Sequence, residues 1–453
     1  MNARYTTFLI AAALMAAIAT PATAVEFHGY LRSGIGGNGS GGQQVCFGEG
    51  TPFTANGYKF RLGNECQNYA ELEFDQTLYK DKSGVTFNYV GMLAYQTNAA
   101  QDYETLKQDN GNGVNDIALR QNWIGATLPQ LGNTTWWIGK RYYHRNDVHI
   151  IDFFYWDPSG PGAGVEDIDL GGFAKLAVAV FQSRPAGNQG NETRVQVWRP
   201  DIRVYGIPIN PDGTLEVGLD LAYASDQSAV VGPPPNSAAP TGRQQISPWI
   251  TVQHQQNFWG GFNKLAFQWA QGMEAPMAQA QYGNKSNSQQ WRIIEHMAVN
   301  PTQDWSGSFV ATYSDFTRRY GESPTNIGPY HSATQWGVGA RPIYHFNPNF
   351  QLALDLGYQS LTPKSTGGNT DTKERNLFKV TLAPAIVPAP GPGGAFFTRP
   401  ELRLFVTYAT WNKASQTDNM VGQGTCASTG TSTSVFKCDT SGLTFGAQVE
   451  AWW

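Results

Sequence analysis

The amino-acid sequence predicts an all-β protein, an antiparallel β-barrel that spans a membrane. Three observations lead to this prediction: apolar and polar residues alternate along many short segments, aromatic residues and glycine are abundant, and the chain ends in an aromatic strand. Of 453 residues, 14 are Trp, 20 Tyr, 24 Phe and 50 Gly, whereas only 15% are charged. Strands that face lipid on one side and water on the other account for both the alternation and this composition.

The first 24 residues are expected to be a secretory signal peptide. Arg4 is the only charged residue there, an apolar run extends from Phe8 to Ala19, and an A-x-A sequence ends at Ala24. That run is too short to cross a bilayer. Residues 25–453 then form a single barrel domain. The formal net charge of the chain is −4, and this mildly acidic balance argues against nucleic acid as a partner.

Alternation recurs from end to end. Apolar residues occupy the odd positions of TLEVGLDLAY (214–223) and the even positions of FQLALDLGY (350–358). Successive side chains of a strand point to opposite faces, so each segment has one apolar and one polar face. Tight turns at Asn210–Gly213 and Asn347–Asn349 precede these strands, while other connections are long and polar. Short turns at one end and long loops at the other are typical of outer-membrane barrels.

The last strand favours a membrane barrel over the alternative, a soluble β-sandwich or propeller. In GLTFGAQVEAWW, Trp453 falls on the apolar face, whereas Trp452 falls on the polar face with Gln448 and Glu450. Barrels place aromatic residues of the apolar face at the membrane interface. A soluble sandwich offers no such role for a strand that ends in this way.

Four aromatic residues are predicted to lie among charged residues on the water-facing side of strands: Tyr30, Tyr69, Phe397 and Trp452. A single inward aromatic residue is usually a packing or rim residue. Four in a wet lumen indicate a carbohydrate track, because an aromatic ring complements the flat C–H face of a sugar. Neighbouring Arg and carboxylate side chains would exchange hydrogen bonds with its hydroxyl groups.

Four cysteines in an exported chain indicate two disulfide bonds. Cys46 and Cys66 flank a glycine-rich segment, and Cys426 and Cys438 flank one rich in Ser, Thr and Gly. We expect sequential pairing, which closes two loops outside the strands. Metal ligation is the alternative.

Several segments together resemble the maltoporin family, namely FHGYLRSGIG, RLGNEC, YAEL, GKRYYHRNDVHIIDFFYWDPSGPGAG, GFNK and FGAQVEAWW. Maltoporins are sugar-specific trimeric porins of the bacterial outer membrane. The resemblance covers essentially the whole mature chain. It implies an 18-stranded antiparallel transmembrane β-barrel with long external loops and an inward-folded constriction loop. The implied partners are maltodextrins or related oligosaccharides, outer-membrane lipid and two further copies in a homotrimer, and the external loops are a candidate phage receptor.

The resemblance also assigns site residues. The aromatic slide of the family falls on Tyr30, Tyr69, Tyr103, Phe262, Phe397 and Trp452, with Tyr103 reaching a neighbouring subunit's pore. Its polar tracks and constriction fall on Arg32, Arg61, Glu71, Arg120, Arg145, Asp147, His149, Asp152 and Phe154. The family has Tyr where this chain has Phe154, and the lost hydroxyl leaves the preferred sugar open. The implied function is passive conduction of maltose and maltodextrins; the alternatives are another oligosaccharide, such as sucrose, or general diffusion.

Two patterns resemble enzyme sites. His144, Asp147 and His149 have the residue types of a metal site, but no further His or Cys follows nearby, so zinc is not expected. Asp147 and Asp152 could form a glycosidase pair. Carboxylates beside a sugar track serve binding equally well, so we expect a channel and not an enzyme, without metal or cofactor.

Overall fold

The computed structural model describes residues 24–48, 58–99, 102, 104, 116–183, 196–224, 245–277, 287–317, 332–364, 371–390, 395–417, 421, 426 and 434–453. The predicted signal peptide lies outside the described residues except for Ala24, and its cleavage stays a prediction. Among the described residues, no helix is both long and apolar enough to cross a bilayer.

Eighteen strands form one closed antiparallel barrel, as the sequence and its resemblance predicted. Two more strands, β6 (Asn146–Val148) and β7 (Phe153–Trp156), form a separate hairpin. The barrel strands are β1 (Glu26–Asn38), β2 (Asn68–Lys80), β3 (Thr86–Thr97), β4 (Asp116–Leu128), β5 (Thr134–Arg141), β8 (Gly160–Asp169), β9 (Lys175–Ser183), β10 (Val197–Asn210), β11 (Gly213–Ala224), β12 (Gln245–Phe258), β13 (Gly261–Gln271), β14 (Gln289–Val299), β15 (Trp305–Thr317), β16 (Ser332–Asn347), β17 (Phe350–Pro363), β18 (Arg375–Ile386), β19 (Glu401–Trp411) and β20 (Ser441–Trp452).

Each barrel strand pairs with the strands before and after it, and β20 pairs with β1 to close the ring. Closure leaves no strand edge exposed to lipid, where an unpaired backbone group would be costly. The helices of the described residues are short: 3-10 turns at Pro129–Leu131, His149–Ile151, Gly272–Glu274 and Ala395–Phe397, and an α-helical turn at Lys413–Thr417.

Short turns lie at the barrel end where β1 begins and β20 ends. Residues 211–212 join β10 to β11 and residues 348–349 join β16 to β17, at the two positions predicted. Asp212 has a φ of 59°, a left-handed conformation that Asp tolerates in turns. The β18–β19 connection is longer than these turns, and in its 3-10 turn, Ala395–Phe397, Phe396 is buried in the interior core.

Two segments from the long-loop end fold back into the barrel. Residues 58–66 belong to the β1–β2 connection, and residues 142–159 contain the β6–β7 hairpin and form the constriction loop. Their buried side chains, including Phe60, Ile150 and Trp156, pack against the inner faces of β12–β19. One side of the lumen is therefore filled by an apolar core.

The position of Phe60 depends on two glycines of the barrel wall. A Cβ atom at Gly339 would lie 2.1 Å from Phe60 Cε1, and one at Gly357 would lie 2.3 Å from Phe60 Cγ. Interiors are close-packed, so neither glycine can be enlarged without displacing the ring. The glycines of β16 and β17 thereby leave the space that residues 58–66 occupy.

The two C-terminal tryptophans lie on opposite faces of the barrel wall, as the alternation predicted. On the outer face, the Trp453 ring centroid is 5.5 Å from that of Phe27, which is in turn 5.3 Å from Phe74. All three side chains are exposed to the surroundings of the barrel. Trp452 is the register partner of Tyr30, whose hydroxyl lies inside the barrel beside Glu450.

Both predicted disulfide bonds are confirmed. Cys46 bonds to Cys66, with Cα atoms 5.9 Å apart, and Cys426 bonds to Cys438, with Cα atoms 5.7 Å apart. Both bridges lie in connections at the long-loop end, β1–β2 and β19–β20. Neither joins barrel strands directly.

Reduction of both bridges should leave the barrel intact. Each bridge closes a short loop, so its contribution through chain entropy is on the order of 3 kcal/mol. The strand ladder does not depend on these loops, so far-ultraviolet circular dichroism should show the same β content with and without reductant. Limited proteolysis should cut the β1–β2 and β19–β20 connections faster after reduction. Loss of the β signal would contradict this expectation.

Candidate functional site

Five of the six predicted slide residues form an arc along the inner wall. The ring centroids of Tyr69 and Tyr30 are 6.1 Å apart, and Tyr30 is the register partner of Trp452. At the other end, Phe262 and Phe397 lie 6.4 Å apart with nearly parallel rings. The sixth residue, Tyr103, lies outside the described residues.

His149 joins the two halves of this arc. Its imidazole lies 5.6 Å from the Trp452 ring and 6.2 Å from the Phe397 ring. The histidine belongs to the 3-10 turn of the constriction loop. The arc is therefore completed by a residue that only the inward fold of this loop brings to the wall.

Arginine side chains lie over three of the slide rings. The guanidinium carbon of Arg399 is 4.5 Å from the Trp452 ring centroid. Arg32 is 5.1 Å from the ring of Tyr69, and Arg61 is 5.8 Å from that of Tyr30. Cations at such distances are attracted to the ring face, which orients the ring before any ligand binds.

Glu65 is the centre of a buried ion-pair network. Its Oε1 atom lies 2.6 Å from Arg32, 3.1 Å from Arg61 and 3.4 Å from Lys59. Burial alone would raise the pKa of Glu65, but Arg61, Arg32 and Lys59 together lower it below its ordinary value. The carboxylate thus stays charged and ties the β1–β2 connection to the wall.

A second carboxylate, Glu450 of β20, binds the network from the C-terminal strand. It lies 3.0 Å from Arg61 and 2.9 Å from Arg399, and it accepts a hydrogen bond from Tyr30. Arg399 also lies 3.2 Å from His149 Nε2. The pKa of His149 is well below its usual value because the ring is buried; the cations Arg61 and Arg399 act in the same direction, against Glu450.

Asp152 connects the constriction loop to the same network. It adopts a φ of 53°, which Asp tolerates better than most residues, and lies 3.5 Å from Arg32 and from Lys59, and 3.8 Å from Arg61. Burial would raise its pKa, but these three cations lower it to about 2. The loop is thereby held in the lumen by charge pairing as well as by apolar contact.

The remaining polar residues lie towards the long-loop end. Arg145 is held between two rings, with its guanidinium carbon 3.8 Å from the Tyr142 centroid and 3.9 Å from that of Phe154. Glu71 accepts a hydrogen bond from Tyr142 at 2.7 Å, and Arg120 donates one to the same tyrosine hydroxyl. These side chains adjoin a cavity of about 600 Å³ that Arg120, Tyr142 and Phe154 help to line.

Asp147 lies near the charged side chains of Lys264, Arg145 and Arg61. It pairs with Phe154 in the β6–β7 hairpin. Burial raises its pKa above the usual value, although Lys264 and Arg145 lower it in part. His144 bonds to Glu166 at 3.2 Å, away from His149. Among the described residues, no group of three or more His, Cys, Asp or Glu is placed to hold a metal ion.

Sequence reasoning missed four residues of this site: Glu65, Tyr142, Arg399 and Glu450. Glu450 carried a usable signal, because it shares a face of β20 with Trp452. The prediction that Phe397 lies on a strand is wrong: it belongs to a 3-10 turn, and Arg399 follows that turn. Arg399, Glu65 and Tyr142 thus lie in irregular segments, where alternation does not report direction.

The profile of the LamB porin family matches residues 25–453 of this chain. The chain belongs to the LamB porin family. It is therefore a channel of the bacterial outer membrane and not an enzyme, and the resemblance noted in the sequence is confirmed.

Solved structures similar to this LamB porin are other outer-membrane proteins. OmpF of Salmonella typhi, in complex with daunomycin, is 8% identical with a TM-score of 0.46 and covers 95% of this chain and 97% of its own. DcaP of Acinetobacter baumannii is 10% identical, with a TM-score of 0.44 and coverage of 94% and 97%. OmpT of Vibrio cholerae is 9% identical, with a TM-score of 0.38 and coverage of 95% and 99%. With TM-scores below 0.5, these likenesses add nothing to the family assignment.

The conductance of this LamB porin should not change through protonation of His149 near neutral pH, because the lowered pKa keeps the imidazole neutral there. Asp152 has a folded pKa of about 2 against 3.8 for an ordinary Asp. A carboxylate whose pKa is lowered by folding stabilises the folded state at pH values above its pKa in the unfolded chain. This stabilisation is lost as the pH falls through its pKa in the folded protein. The constriction loop should therefore loosen only between about pH 4 and 2.

Single-channel recordings across this pH range test the expectation. Asp152→Asn should show the low-pH conductance already at neutral pH. A conductance step near pH 6 that disappears in His149→Gln would contradict it.

Proposed function

We propose that this channel is sugar-selective and passively conducts maltose and maltodextrins along the aromatic arc. The observation that carries the proposal is the run of five slide residues, Tyr69, Tyr30, Trp452, Phe397 and Phe262, with arginine over three of the rings. Such a run has no evident purpose in a channel for ions alone. Sugar rings stack on flat aromatic faces, and successive faces let a chain move without leaving the wall.

Transport would combine stacking with exchange of hydrogen bonds. Carboxylates such as Glu71 accept from sugar hydroxyls, and guanidinium groups such as Arg120 donate to sugar oxygens. Each station must bind weakly enough to release the sugar to the next one. The arc supplies several similar stations rather than one deep site, which suits conduction better than retention.

A second candidate, an oligosaccharide other than a maltodextrin, is favoured by Phe154. This residue has no hydroxyl, and its ring is covered on one side by Arg145. A branched or differently linked sugar such as sucrose places its hydroxyl groups elsewhere and does not require a protein hydroxyl at position 154. A general diffusion porin is less well supported, since it requires no aromatic arc.

Conductance in planar bilayers tests the proposal. Maltotriose added to the open channel should reduce the ion current in a saturable way, and the current noise should report association and dissociation rates. Sucrose and a panel of other oligosaccharides identify the substrate class. A channel blocked by none of them at millimolar concentration would be a general diffusion porin.

Assembly as a homotrimer is part of the proposal, with Tyr103 reaching the mouth of a neighbouring pore. It is supported by membership of a porin family and by an aromatic residue in a polar loop. Tyr103→Ala should lower the association rate of maltotriose without changing the open-channel current, because the residue would act before the constriction. Light scattering in mild detergent should report three chains, and a monomer would remove the basis of this role. We also propose that the external loops can serve as a phage-binding surface.

The two C-terminal tryptophans provide a matched pair of variants. Trp452→Ala should weaken oligosaccharide block by about 1–3 kcal/mol, taking ring stacking of nucleic-acid bases as a guide. Ion conductance should rise slightly because a bulky side chain leaves the wall. Trp453→Ala is the control: it removes an outward ring of equal size and should reduce assembly or stability while leaving sugar affinity nearly normal. Equal effects of the two substitutions on sugar affinity would refute the assigned roles.

A further inference from the structure

Tyr142 occupies a position that the sequence did not single out. It follows β5 at the start of the constriction loop and adjoins the cavity near the long-loop end. Its backbone amide donates to Gln121 Oε1 at 3.0 Å, and Arg145 lies 3.8 Å over its ring. Phe154 lies on the opposite side of Arg145, 3.9 Å from the guanidinium carbon. The two rings and the cation form a three-layer stack.

The hydrogen bonds of this tyrosine have only one possible direction. Arg120 can only donate, so the Tyr142 oxygen accepts from it. The single hydroxyl hydrogen is then directed to Glu71 Oε1, 2.7 Å away. Tyr69 donates to the same Glu71 atom at 2.6 Å, so these four residues belong to one chain of hydrogen bonds.

The hydroxyl hydrogens of both tyrosines are thus committed to Glu71. What the Tyr142 oxygen has left is one lone pair, and Glu71 retains further acceptor capacity. This station therefore accepts hydrogen bonds and has no free hydroxyl hydrogen to give. Its natural complement is a neutral group that donates, which is what a sugar hydroxyl offers.

We propose that Tyr142 is a specificity-determining residue of the channel and accepts a hydrogen bond from a sugar hydroxyl beside Tyr69. It supplies the tyrosine oxygen that Phe154 lacks, on the opposite face of Arg145. This inference rests on the proposed sugar-conducting function. A sugar stacked on Tyr69 would have its hydroxyl edge beside the Tyr142–Glu71 pair.

Tyr142→Phe removes the oxygen and keeps the ring that covers Arg145. Maltotriose should dissociate about 3- to 10-fold faster, the range expected for one net hydrogen bond, with little change in association rate. The open-channel current should stay near the wild-type value. Tyr143→Phe is the matched control, because the Tyr143 hydroxyl has no hydrogen-bond partner among the described residues and its loss should leave both rates unchanged.

Maltotriose analogues that each lack one hydroxyl separate sugar contact from a merely structural role. In the wild-type channel, one analogue should bind more weakly than maltotriose. In the Tyr142→Phe channel, the same analogue and maltotriose should bind equally well. If maltotriose blocks the wild type but dissociates from the Tyr142→Phe channel at the wild-type rate, the role assigned to Tyr142 is refuted and the proposed function stands. Equal losses for every analogue in both channels would also overturn it. If maltotriose fails to block the wild type, the proposed function fails and this inference with it.

Discussion

The pairing of Arg61 with Glu65, Asp152 and Glu450 is the interaction on which the interior depends. A buried guanidinium is costly unless carboxylates surround it, and here they come from three separate parts of the chain. The β1–β2 connection, the constriction loop and the last strand must all be in place before the charges balance. The loops are thus ordered by each other as well as by the wall, and removing Arg61 would leave three buried carboxylates with one cation fewer to balance them.

Apolar packing determines which side of the barrel remains open. Phe60, Ile150 and Trp156 fill the space against β12–β19, where the wall supplies small and aliphatic side chains, glycine, and the rings of Trp249 and Phe405. The polar residues Glu71 and Arg120 lie across from this core, on β2 and β4. The aromatic arc and the ion pairs occur together because both lie at the boundary between the filled part of the lumen and the open part.

The arrangement suits the weak and repeated binding that the proposed function requires. Rings held by Arg399, Arg32 and Arg61 need not reorganise when a ligand arrives, so less binding energy is lost to ordering. The ion pairs and the loop packing behind the rings stabilise this ordered wall. The same arginine residues therefore orient the rings at the pore surface and stabilise the interior through their ion pairs.

Alternation along the strands determined the barrel, the positions of its tight turns and the opposite directions of Trp452 and Trp453, because side-chain direction in a strand follows from the order of residues alone. Family motifs added the strand number and the candidate site residues. Only the tertiary structure decided what irregular segments do: His149 completes the aromatic arc, Glu65 pairs with three cations, and the turn Ala395–Phe397 packs against the interior core. Their directions are set by contacts between segments up to several hundred residues apart, and no local pattern encodes those contacts.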